Sequence, residues 1–518
     1  MGSSRFTHIV VGAGSAGCIV TARIAENPNC DVLLIEAGPD YHPAESKIPE
    51  GVRNARKVPM KGQSEAFDPE IDWNVVVTIP GGQTMTVPQA KIMGGGSSIN
   101  GGTALRNTAA DCKEWVELGN NTWDFESVCR PYQELEDDEL RGTTGLHPIL
   151  RTLPGEIGKI QRAFTEAAIA SGLEQASDLN APGAEGVGAS PVCRRGHDRI
   201  SASNTFIDPI RNQENFTILT KKQVSAVIFS DTRATGVALT DGTEISASEE
   251  VIIAAGAIFS PAILQRSGIG PSKLLRSLQI PIISDLPVGD NLSDHVCIPI
   301  VAKPKNGSYE EDDYSLQMQA RWSSSVLPGA TDLQMVCFSY LNAPAETSGA
   351  QGRSLSGSVT GHVAGIGCNI NKPTSLGSVR IQSVVPTVAP TVLPNYLQTD
   401  QDVTIAREVI RKAYTVITSE PMQQVLSAPI TLNKSIVESD ELLDDWIRGQ
   451  YSTTYHFSGT CRMADRDKGG VVDQEGRVYG VQCLRVCDAS VLPTSPAANT
   501  MFSTMMFAQR IGHSIAPC

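Results

Sequence analysis

The sequence predicts an α/β protein, α+β overall: a parallel-sheet domain interrupted by inserted material that carries an antiparallel sheet covered by helices. Three observations lead there. A strand–helix–strand unit opens the chain, and short apolar strand-like runs recur far downstream, at Glu250-Val251-Ile252-Ile253-Ala254-Ala255-Gly256 and at Leu484-Arg485-Val486-Cys487-Asp488. Between residues 351 and 397 the composition shifts to Ser, Thr, Val and Gly with period-two patches such as Gly377-Ser378-Val379-Arg380-Ile381, and a long helical pattern follows from Asp400 to Val416. The 518 residues amount to about three domains of material.

Taken in order, His8-Ile9-Val10-Val11 is the first strand, Gly12-Ala13-Gly14-Ser15-Ala16-Gly17 the turn, and a helix runs through Ile24-Ala25. Asp31-Val32-Leu33-Leu34-Ile35 is the second strand, closed by Glu36. Gly12, Gly14 and Gly17 permit a sharp turn and the approach of a pyrophosphate to a helix N-terminus, where free N–H groups favour anions. The Glu36 carboxylate suits ribose hydroxyls and repels a 2′-phosphate, which disfavours NADP and leaves FAD or NAD. A second glycine element, Gly94-Gly95-Gly96-Ser97-Ser98-Ile99-Asn100-Gly101-Gly102, would lie flush against a flat ring, with Ser97 and Asn100 as donors. A third stretch, from Gly256 to Gly270, turns a buried strand into a helix ended by Gly268. The segment from Lys303 to Asp313, with its acidic cluster, reads as a loop or lid.

Composition excludes several functions. Lys and Arg number 42 against 56 Asp and Glu, a net charge of −14, which disfavours nucleic-acid and anionic-membrane partners. No apolar run approaches the length of a membrane span. The first residues show no apolar stretch of a secretory signal, and an intracellular, cytoplasmic protein is expected. The 12 cysteines are scattered without a Cys-x-x-Cys pair; the nearest two, Cys483 and Cys487, are expected to be buried free thiols, and no metal site is expected.

These motifs, with Leu286-Pro287-Val288-Gly289-Asp290-Asn291-Leu292-Ser293-Asp294-His295 and the block from Tyr455 to Ile515, together resemble the glucose–methanol–choline (GMC) flavin oxidoreductases, end to end and in order. The resemblance implies a Rossmann-like FAD-binding domain in three parts (1–155, 195–300 and 455–518) with a substrate domain inserted in two (156–194 and 301–454). It implies an FAD site made by Gly12, Gly14, Ser15, Ala16, Gly17, Glu36 and Ala37; by Gly95, Ser97, Asn100, Gly101, Gly102, Thr103 and Ala104; by Val224 against adenine; and by Asp488, Ala489, Asn499, Thr500 and Met501. Covalent members carry a histidine before the asparagine of the second glycine element. Ile99 stands there, so non-covalent FAD is expected.

Tyr455-His456-Phe457-Ser458-Gly459-Thr460 resembles the family's catalytic histidine motif, and Pro493-Thr494-Ser495-Pro496-Ala497-Ala498-Asn499-Thr500 the segment of its partner. Removing hydride from an alcohol carbon leaves a proton on oxygen, which a neutral imidazole must accept. His456 is therefore the expected base, Asn499 the donor that holds the substrate oxygen, and Tyr455 a pocket wall. The His456 and Asn499 runs and Asn371-Lys372-Pro373 are similar to those of aryl-alcohol and hydroxymethylfurfural oxidases. That likeness implies oxidation of a benzylic, allylic or furanic primary alcohol, with O2 or a quinone-type molecule as electron acceptor. A FAD-containing hydroxynitrile lyase is the alternative from another class. The sequence sets neither the exact substrate nor the oligomeric state.

Overall fold

The structure, a computed structural model, describes residues 6–42, 48–56, 69–310, 312–343 and 361–515. The expected opening unit is present as the strand Phe6–Val11, the helix Ser15–Ala25 and the strand Val32–Ile35. Every residue of Val32–Ile35 is buried, as a strand covered on both faces requires. Around it runs a seven-stranded sheet ordered Phe216–Leu219, Val32–Ile35, Phe6–Val11, Glu244–Ile253, Arg233–Leu239 and Val224–Ser230, with Leu484–Val486 paired to Glu244–Ile253. The strands Phe216–Leu219, Val32–Ile35, Phe6–Val11, Glu244–Ile253 and Leu484–Val486 are mutually parallel. The meander from Val224 to Ile253 is antiparallel. The helix Thr500–Ser514, buried along nearly its whole length, packs on Ser15–Ala25. The dispersed strand-like runs thus converge on one sheet, which fits a GMC-type, Rossmann-like FAD fold.

A second, six-stranded antiparallel sheet runs in the order Ser452–Thr453, Val296–Ala302, Gly361–Ile370, Leu333–Ala343, Met318–Trp322 and Gly186–Ala189. The expected helix forms as Asp400–Ile417, with the Thr399 side chain capping its N-terminus by accepting from the Asp402 N–H. Its buried stripe, including Ile405, Val409, Ile410 and Ala413, covers one face of this sheet. The strand Val296–Ala302 alternates: Ile298 and Ile300 join the core beneath the helix, while Cys297, Pro299 and Val301 face a cavity.

One expectation changes. The patch at 377–381 does not extend the large antiparallel sheet. Ser378–Arg380 pairs with Thr391–Leu393, which joins Val75–Thr78 and Thr84–Val87 in a separate four-stranded sheet. Period-two patterning marks a half-buried strand without naming its neighbour. Residues 351–360 of that region lie outside those described. The strand Val296–Ala302 also runs across the expected boundary at residue 300. In the segment proposed as a loop or lid, the Lys305 N–H donates to the Val425 carbonyl at 2.9 Å and Lys159 Nζ to the Gly307 carbonyl at 2.8 Å; residue 311 is outside the described set.

Candidate active site

A cavity of about 550 Å³ runs from the first glycine turn to the antiparallel sheet. At its nucleotide end the wall is mostly backbone. Gly12, Gly14, Ser15, Ala16, Glu36 and Ala37 line it, followed by Gly95, Asn100, Gly101, Gly102 and Thr103, and by Val224. The two glycine elements are joined directly, because the Gly94 N–H donates to the Ala13 carbonyl at 2.7 Å. The buried Glu36 carboxylate accepts from the N–H groups of Ala13 and Gly38, both at 2.8 Å; burial raises its pKa. Asp488 ties its own segment to the start of the helix Gly256–Arg266: it accepts from the Gly256 N–H at 2.8 Å, from the Ser490 N–H at 2.7 Å and from the Ser260 hydroxyl. Asn100 Nδ2 donates to Met501 Sδ at 3.0 Å, which fixes the second glycine element against the start of the last helix.

The wall fits a flat, elongated dinucleotide. At Gly96 and Gly256, both lining the cavity, an added Cβ would meet no protein atom within 4 Å, so the absent side chains leave the groove open there. N-termini of the helices Ser15–Ala25 and Thr500–Ser514 open onto the same space, as phosphate and ring oxygens require.

Three residues expected at the cofactor lie behind this wall. A Cβ on Gly17 would sit 1.9 Å from the Gly12 carbonyl oxygen, so that glycine allows the turn to close on its own helix. The Ser97 hydroxyl donates to the Gly94 carbonyl at 2.5 Å and accepts from the Ala202 N–H at 3.0 Å. Ala104 is fully buried, its N–H on the Pro191 carbonyl. Ile99 reaches the wall and offers no nucleophile.

At the other end the wall is side chains. Cys297, Pro299 and Val301 from one strand, Val336 and Phe338 from another, and Val363 and Asn369 from a third face the space. Tyr455, His456 and Asn499 close it towards the nucleotide end. Two segments are zipped together to present His456. Ser293 and Ser458 exchange backbone hydrogen bonds at 3.1 and 2.9 Å. The buried Asp294 carboxylate accepts from the His456 N–H at 2.7 Å, from the Tyr396 hydroxyl at 2.5 Å and from the Thr453 hydroxyl. Between them Tyr455 adopts a left-handed backbone, φ 65°, a conformation that non-glycine residues hold only where their surroundings dictate it.

His456 Nε2 lies 3.4 Å from Asn499 Nδ2. Burial pushes the imidazole down to about 4, which leaves it neutral near pH 7. The Asn499 segment is held from several sides: the Ser495 carbonyl by Lys372 Nζ at 2.8 Å, the Ala497 carbonyl by Arg321 at 2.7 Å and the Ala497 N–H by Asp111 at 3.0 Å. Burial works against the Lys372 charge, but Asp111 and Glu114 outweigh it and raise its pKa. None of these contacts, nor the sheet residues of the pocket, was legible beforehand; only the Asn371-Lys372-Pro373 run pointed towards Lys372. Among the described residues no cluster could hold a metal ion, and no helix is long and apolar enough to cross a membrane.

Comparison with known proteins agrees with this layout. Two family models, each described as GMC oxidoreductase, match residues 6–297 and 373–508. The chain is 30% identical to an oxygen-dependent choline dehydrogenase of Escherichia coli, over 99% of this chain and 95% of the relative. The structure of pyridoxine 4-oxidase from Mesorbium loti superposes with a TM-score of 0.87 at 25% identity, covering 99% of both chains. A fungal aryl-alcohol oxidase superposes at 0.81 with 20% identity over 98% of both chains, which speaks for the fold. On the fold, the cavity and these matches, the chain belongs to the GMC oxidoreductase family, FAD-dependent enzymes that act on alcohols.

Proposed function

We propose that the protein oxidises a neutral, activated primary alcohol (benzylic, allylic or furanic) to its aldehyde and passes the electrons to O2 as H2O2. The observation that carries this reading is the convergence of His456 Nε2 and Asn499 Nδ2 at 3.4 Å, where the backbone-lined groove meets the apolar sheet. FAD, bound non-covalently, supplies the hydride acceptor. His456 takes the hydroxyl proton at Nε2, a contribution worth about 10²–10⁴-fold in rate. The Asn499 amide donates to the substrate oxygen without competing for that proton.

The wall supports a neutral substrate over a cationic one. The carboxylates that line the cavity, Glu36 and Asp488, are both tied to the nucleotide end. The substrate end presents Pro299, Val301, Val336, Phe338 and Val363. A quaternary ammonium such as choline, named for the Escherichia coli relative, would be buried there without a counter-charge, which is costly. Tyr455, which lines the cavity next to His456, is assigned to the substrate wall.

The test is the visible spectrum of the purified protein, kept anaerobic, during addition of benzylic, allylic and furanic alcohols and of choline. Bleaching with the neutral alcohols and not with choline is expected, and colour returning on admission of air would identify an oxidase. Colour that returns only with an added quinone would assign a dehydrogenase. A flavin that stays oxidised with every neutral alcohol would remove the substrate assignment.

A further inference from the structure

The mechanism needs one particular tautomer of His456: a proton on Nδ1 and a lone pair on Nε2. What supplies it is a second histidine. His295 Nε2 lies 2.9 Å from the Pro496 carbonyl oxygen. A carbonyl only accepts, so His295 Nε2 carries the proton and donates. In the neutral ring His295 Nδ1 is then a bare acceptor, and it lies 2.8 Å from His456 Nδ1. The rings stand at 85° with centroids 4.8 Å apart. His456 Nδ1 must therefore be the donor. Thr454 acts in the same sense: its hydroxyl donates to the His295 carbonyl at 3.1 Å and so accepts from His456 Nδ1 at 2.9 Å. No group around His456 Nδ1 donates to it, and the lone pair is left on Nε2, facing Asn499.

We propose that His295 is a positioning residue that fixes the His456 tautomer and ties the two catalytic segments together through the Pro496 carbonyl. It touches neither the cavity nor the substrate: it is 1% exposed and absent from the cavity wall. The ring stays neutral because burial, and then the adjacent His456, hold its pKa well below the usual histidine range. One side chain thereby sets the polarity of the base and the position of the loop that carries Asn499, three residues past Pro496. The inference rests on His456 being the base.

The experiment compares His295→Leu and His295→Gln as purified flavoproteins. Leu keeps the bulk and removes both nitrogens. Gln offers a donor for Pro496 and an acceptor for His456 on one rigid amide. Loss of a tautomer-setting partner costs about 10⁴ in a hydrolase triad; with Thr454 still accepting here, anaerobic flavin reduction in His295→Leu should slow by on the order of 10². The loss should fall on the limiting reduction rate with substrate affinity kept, and His295→Gln should recover to within about tenfold. Reduction at the parental rate in His295→Leu, or a His295→Gln as slow as His295→Leu, overturns the proposal. Should His295→Leu shed its flavin, ¹⁵N-histidine NMR of the parental holoenzyme decides the matter. The signal lost in His456→Ala should show a protonated Nδ1 and an unprotonated Nε2, and the reverse tautomer overturns the inference. His456→Ala also separates the two readings: if it reduces normally the base assignment falls, whereas a slow His456→Ala beside a normal His295→Leu removes the positioning role alone.

Discussion

The two ends of the cavity are built by different means. At the nucleotide end the wall is backbone, drawn from turns at 12–17, 94–102 and 255–257, and its shape depends on side chains being absent. At the substrate end the wall is side chains of three antiparallel strands, and its shape depends on which are present. A backbone wall is exacting about geometry and indifferent to ligand detail, which suits a cofactor that every member binds. A side-chain wall can be changed one residue at a time without disturbing the fold, and that is where specificity belongs. His456 and Asn499 stand at the junction, reached from one side by the His295 and Lys372 contacts and from the other by Asn100 and Met501.

Breaking the junction should have the largest effect. His456→Ala is expected to keep flavin, since His456 closes the groove without shaping its backbone, and to slow anaerobic reduction by about 10²–10⁴-fold. Stopped-flow bleaching at saturating alcohol measures this, and a parental rate would remove His456 as the base. Asn499→Ala comes next, at about 10², with the loss again in the reduction rate. An unchanged rate would reduce Asn499 to a packing residue at the N-terminus of the last helix.

The two ends should then separate cleanly. Gly17→Ala drives a Cβ to 1.9 Å from the Gly12 carbonyl oxygen, a backbone contact that cannot swing aside. Overpacking of this kind costs about 1–3 kcal/mol, so flavin affinity should weaken by roughly ten- to a hundredfold, read as a lower ratio of visible to ultraviolet absorbance after purification. Phe338→Ala should leave that ratio alone and shift the relative kcat/KM of large and small alcohols by about tenfold. Loss of flavin from the Phe338 variant, or full retention in the Gly17 variant, would break the division between the ends.

The same division explains what the sequence disclosed. Gly12, Gly14, Glu36 and the 94–102 element were legible because backbone geometry demands glycine at fixed spacing, and spacing is visible along a chain. His456 and Asn499 were legible through their motifs. The strands Gly186–Ala189 and Ser452–Thr453, at opposite edges of one sheet, carry only local alternation, which does not record its partner. For the same reason the alternation at 377–381 does not reveal that Ser378–Arg380 belongs to the separate four-stranded sheet. Ser97 shows the limit within a motif: donor chemistry was correct, but its hydroxyl closes the turn on Gly94 and Ala202. The link from His295 to Pro496 spans 201 positions, and no pattern in either segment announces it.

Proton affinity at the junction gives the smallest and sharpest prediction. His456 is held down at about 4 by burial, so its neutral, proton-accepting form persists as pH falls and is lost only through about 4. Asp294 is pushed up to about 6 by burial, against the hydrogen bonds from Thr453, Tyr396 and the His456 N–H. On acidification it takes up a proton first and loosens the anchor of His456 without removing the base. The reduction rate should be level through neutral pH, step down by a few-fold near 6 and collapse only near 4. Asp294→Asn should abolish the upper step and leave the lower limb in place. A single complete loss through about 6.5, the ordinary histidine value, would mean that His456 is solvated in the working enzyme, and that its surroundings do not hold its proton affinity down.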